Sequence, residues 1–129
     1  VKEKSYGYEV ILPHLMPKRN HRNHTVFLLE PLTYALKEFT AAHPICRLEY
    51  ALIWFIYEYT EDTPIHCIRD YDNIETKEVL DIINSFFLLD DGGAFCELHY
   101  STRRGNRNGT RVIISSDIGL VSCQKINGN

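Results

Sequence analysis

The sequence predicts a single α/β (α+β) domain, a mixed sheet with two main helices in the order β-α-β-β-α-β-β. Three observations predict it. Runs of branched and aromatic residues bounded by Pro or Gly alternate with two stretches of helical periodicity. Hydrophobic residues make up 44% of the chain and charged residues 24%, which excludes disordered and collagen-like classes. The 129 residues suffice for one core that buries roughly two-thirds of the surface of the unfolded chain. Residues 1–129 are therefore read as one domain, with no linker and no internal repeat.

Tyr6 to Leu12 reads as the first strand, ended by Pro13. The basic stretch from Lys18 to His24 follows as a loop, bounded on its N-terminal side by Pro13 and Pro17. From Leu29 to Ala42, Leu29, Leu32, Leu36 and Phe39 recur at helical spacing, with Pro31 placed in the first turn and His43-Pro44 as the stop. Arg47 to Thr60 is dense in Leu, Ile, Trp, Phe and Tyr, the pattern of a long central strand buried on both faces over its middle. Ile65 to Tyr71 reads as another strand. Asn73 is the expected N-cap of a second helix running to about Phe86, with Glu75 and Glu78 in its first turn and Ile74, Leu80 and Ile83 on its apolar side. Asp90-Asp91-Gly92-Gly93 makes a turn. Ala94–Thr102 and Thr110–Ser115 are expected to form a hairpin across Arg103 to Gly109.

No apolar run reaches the roughly 18 residues of a membrane-spanning helix, and no export signal opens the chain. A reduced cytoplasmic protein without membrane contact is the expectation. The first residue is Val1 rather than Met, so the chain is read as a fragment of a longer protein. Cys46, Cys67, Cys96 and Cys123 lie far apart among apolar or mixed neighbours, the pattern of free, partly buried thiols rather than a disulfide framework. Cys96-x-x-His99 and His66-Cys67 have zinc-ligand residue types, but they do not form the two tight pairs of a structural zinc site.

The net charge of −3 hides an uneven distribution. Carboxylates crowd the interval from Glu58 to Glu97, where the only basic residues are Arg69 and Lys77. Basic segments flank it: Lys18-Arg19-Asn20-His21-Arg22 on one side and Arg103-Arg104 through Arg107 to Arg111 on the other. An acidic centre that gathers cations between basic loops that hold a polyanion is what metal-assisted phosphodiester chemistry requires. Solvated surface is the plainer account of the same runs.

Within the acidic interval, Asp70-Tyr71-Asp72-Asn73 carries the most information. If it ends a strand, Asp70 and Asp72 share a face roughly 6–7 Å apart, and their mutual repulsion favours a bound cation. Oxygen ligands point to Mg²⁺ or Mn²⁺. Asp90 or Asp91 is positioned to supply a third carboxylate, and Lys77 to meet a phosphate. Helix capping at Asn73 and turn chemistry at Asp90-Asp91-Gly92-Gly93 account for the same residues without a metal.

Taken together, Arg69-Asp70-Tyr71-Asp72-Asn73, Lys77, Leu80-Asp81 and Leu88-Leu89-Asp90-Asp91 resemble the signature of the RusA-type Holliday junction resolvase family. The chain reads as a divergent member: Lys77 stands four residues after Asn73 where the family has three, and Gly92-Gly93 follows the Asp pair. The resemblance implies a homodimeric, Mg²⁺- or Mn²⁺-dependent endodeoxyribonuclease. Such an enzyme resolves branched DNA in recombination and repair, in the manner of phage and mobile-element enzymes, with no small-molecule cofactor. It implies Asp70, Asp72 and Asp91 as metal ligands, Asp90 as a supporting carboxylate and Lys77 as the catalytic lysine. DNA contact is expected from Lys18, Arg19, Asn20, Arg22, Arg69, Arg103, Arg104 and Arg107. The alternative is a catalytically inactive module on the same scaffold that binds DNA or protein. A small interaction domain of a longer protein is a further reading.

Overall fold

The computed structural model describes residues 1–4, 6–12, 26–43, 45, 47–65, 76–88 and 96–116. These form β1 (Lys2–Lys4), β2 (Gly7–Leu12), α1 (Val26–Ala42), β3 (Ala51–Thr60), α2 (Lys77–Phe87), β4 (Cys96–Gly105) and β5 (Gly109–Ser115). The strands make one mixed sheet in the order β1-β2-β5-β3-β4, antiparallel throughout except for the parallel pair β3–β4. The protein is thus of the α+β class, and the described residues form two helices and a five-stranded mixed sheet.

β3 explains the sheet. Its sequence, Ala-Leu-Ile-Trp-Phe-Ile-Tyr-Glu-Tyr-Thr, is buried at every position but the last. Alternation places Ala51, Ile53, Phe55, Tyr57 and Tyr59 on the face that packs with the helices. Leu52, Trp54 and Ile56 join Ile113 of β5 on the other face. A strand that is apolar on both faces belongs inside a sheet, and β3 is bonded on one edge to β4 and on the other to β5. Because β4 runs parallel to β3, the chain must return along the sheet, and α2 lies on that crossover.

The helices cover one face. α2 buries Val79, Ile83 and Phe87 at a four-residue spacing, and α1 buries Leu32 and Leu36 in the same core. Tyr8 of β2 joins the layers, its ring 6.0 Å from Phe39 of α1 and 4.9 Å from Phe87 of α2. Towards the other edge, Tyr100 of β4 stacks at 5.9 Å on Phe55 and 6.2 Å on Tyr57. α1 stops where the sequence predicts: the His43 amide bonds the Phe39 carbonyl at 2.7 Å, and the two rings stack at 4.6 Å.

Five expectations are corrected. A short strand, β1, precedes the first predicted one and makes the described order β-β-α-β-α-β-β. β4 and β5 do not pair as a hairpin, because β3 lies between them. The long strand begins at Ala51 rather than Arg47, and Leu48 instead makes an isolated bridge with Leu88. α1 begins at Val26, which puts Pro31 in the second turn, where its missing N–H leaves one helical bond unmade. α2 begins at Lys77 with Thr76 as N-cap, not Asn73, and the cap makes no side-chain hydrogen bond. The strand expected at 65–71 lies outside the described residues from position 66 on.

The link from β4 to β5 crosses the C-terminal end of β3. Side chains stand in there for the missing hairpin bonds: Asn108 Oδ1 accepts from the Thr60 amide at 3.0 Å. Arg104 Nη1 donates to the carbonyls of Thr60 at 2.8 Å and Thr63 at 2.7 Å. At the far end of the sheet, Gly7 opposes Ser115 with φ +144°, and a Cβ there would run into the Ile114 carbonyl oxygen. Gly7→Ala is therefore expected to lower the unfolding free energy by about 2 kcal/mol or more in urea denaturation. An unchanged midpoint would contradict this close approach.

Candidate functional site

Of the residues singled out in the sequence, Lys77, Arg103, Arg104 and Arg107 are described. Asp70, Asp72, Asp90 and Asp91 lie outside the described residues, as do Lys18, Arg19, Asn20, Arg22 and Arg69. Among the described residues no group of three His, Cys, Asp or Glu side chains could hold a metal ion. Lys77 is the first residue of α2, and its side chain is exposed. That end of the helix is fixed to β4 by a 3.3 Å hydrogen bond between the Thr76 and Tyr100 hydroxyls. The eleven residues of α2 span about 16 Å.

The basic segment is divided by the fold. Arg104 holds the end of β3, as described above. Arg103 points to the face away from the helices, where its Nε and Nη2 each lie 3.2 Å from Glu58 Oε2. Arg111, on β5, places Nη1 3.1 Å from Glu9 Oε2 and Nη2 3.5 Å from Glu58 Oε1. Glu9, Arg111, Glu58 and Arg103 thus form a chain of alternating charge across β2, β5, β3 and β4. The carboxylates are the deeper members, with side chains 5% exposed at Glu9 and 9% at Glu58, against 16% at Arg111 and 26% at Arg103. Each buried carboxylate is paired, as burial of charge requires. Among the described residues, Arg111 Nε is buried without a hydrogen-bond partner.

The register builds this network. Glu58 stands opposite Arg103 in the parallel pair and opposite Gly109 in the antiparallel one. Gly105 leaves the carboxylate its space: a Cβ there would come 3.0 Å from Glu58 Oε2. Tyr6 packs beside the network, its phenol pushed above the usual tyrosine range first by burial and then by the Glu9 charge, with Arg111 acting in the opposite sense. The sequence signal for the cluster is a glutamate inside each of two apolar strands, Glu9 in β2 and Glu58 in β3. Arg107 remains exposed in the crossing link. Close to the Arg104 anchor lies Asp62, whose carboxyl is held below its ordinary value by the Thr60 hydroxyl, its own backbone N–H and Arg104. The described tip is therefore mixed in charge rather than uniformly basic.

Along the same face of β4 stand Glu97, His99 and Ser101, residue types that hydrolytic triads use. The His99 ring bonds Glu97 Oε1 at 2.9 Å, but Ser101 Oγ accepts the Trp54 indole N–H at 2.7 Å. The described contacts thus set the serine against tryptophan rather than against a base. Cys96 lies on the opposite face, against the helix core, so Cys96 and His99 cannot share a zinc ion. Burial pushes the Cys96 thiol up, partly countered by a hydrogen bond from Asn84, the wrong direction for a reactive thiolate.

The family model for a family of unknown function (DUF6100) matches residues 2–118, and the chain belongs to that family. No curated protein matches the sequence. Among solved structures, the periplasmic domain of Helicobacter pylori MotB is similar at 15% identity and a TM-score of 0.46, covering 99% of this chain and 95% of that one. No helix among the described residues is long and apolar enough to cross a membrane.

Glu58→Ala is expected to cost about 2–4 kcal/mol in urea denaturation, because it takes the carboxylate from Arg103 and leaves Arg111 with Glu9 alone. Adding Arg103→Ala should recover part of that loss, and strictly additive costs would show the pair to be uncoupled. Asp62 supplies a pH test. Its folded pKa is depressed, so its contribution to stability is present above the unfolded value of about 3.9 and is lost as pH falls through the folded one. Carboxyl NMR should place its midpoint below that of an unfolded peptide, and Thr60→Val should move the midpoint back up.

Proposed function

We propose that this DUF6100 chain is a Mg²⁺- or Mn²⁺-dependent endonuclease acting on branched DNA, working as a homodimer in the cytoplasm. The observation that carries the reading is the acidic signature, Asp70-x-Asp72-Asn73 ahead of α2 and Asp90-Asp91 after it, with Lys77 exposed at the first position of that helix. In this reading Asp70, Asp72 and Asp91 hold the divalent ion, with Asp90 beside them. A bound ion would supply the Lewis acidity that activates water and stabilises the leaving oxygen. Lys77 meets the non-bridging phosphate oxygens, helped by the partial positive charge of the helix N-terminus, and offsets the charge that develops on them. Lys18, Arg19, Asn20 and Arg22, with Arg69 and Arg107, follow the DNA backbone. Arg103 and Arg104 serve that surface less directly, since both have partners within the fold.

The displacement of Lys77 to four residues after Asn73 favours a second reading, a scaffold that binds branched DNA or a protein without cutting. The two readings differ in one experiment. Four-way junction, flap and duplex DNA are incubated with the protein in Mg²⁺, Mn²⁺ or EDTA. The nuclease reading expects junction cleavage that EDTA abolishes and that Asp70→Ala or Asp72→Ala reduces at least 100-fold, on the order expected for loss of a metal ligand, with the thermal midpoint retained. Metal-independent junction binding without nicking supports the second reading. Cleavage by Asp70→Ala at the wild-type rate would overturn the first.

A further inference from the structure

No further inference is drawn: the strongest candidate, the edge of the ten-residue strand β4 turned away from β3, where Glu97 and Arg103 stand symmetrically about Tyr100, carries nothing because the described residues do not show what lies against that edge.

Discussion

The ladder that β3 makes with β4 on one side and β5 on the other, with its side chains buried above and below, is the constraint from which the rest of the sheet follows. A strand in that position satisfies its backbone groups on both edges and must be apolar on both faces. Hence the unbroken run from Ala51 to Tyr57, and hence the need for two cores. One lies under the helices, and the other is the smaller cluster of Leu52, Trp54, Ile56 and Ile113. The parallel partner obliges the chain to travel back between β3 and β4, while the antiparallel partner β5 joins the N-terminal β2 to the centre.

What the sequence showed and what it hid divide along a physical line. Burial and periodicity are local signals, and they located the six-residue strand ending at Leu12, the stop of α1 at His43, the core of β3 and the body of α2. Strand partnership is not local. The Arg-Gly-Asn-Arg-Asn-Gly stretch has the composition of a hairpin turn, yet its strands are separated by β3, which is apolar on both faces and takes a partner on each edge. β1 carries no periodic signal, because Lys2-Glu3-Lys4 has no apolar alternation and is exposed at all three positions, paired to β2. Asn73 is the better capping residue by type, yet Thr76 takes the position while making no capping bond through its side chain.

Charge was the least legible property. Read along the chain, Glu58 belonged to an acidic run and Arg103 and Arg111 to a basic one. In space they neutralise each other across neighbouring strands, with Glu9 completing the row. Sequence distance says nothing about such pairing, since Glu9 and Arg111 meet only through the β2–β5 ladder. The arginines of β4 and β5 belong first to the architecture.

The passage of residues 106–108 over the end of β3 bears on how the chain assembles. Strands β4 and β5 are close in sequence and antiparallel in direction, so during synthesis or refolding they can meet as a local ribbon before the earlier strand reaches them. Native order requires that ribbon to stay open, or to come apart, so that a segment made some forty residues earlier can slot between its arms. The anchors that Asn108 and Arg104 place on Thr60 and Thr63 form only once it has done so. They act as a latch on the inserted arrangement.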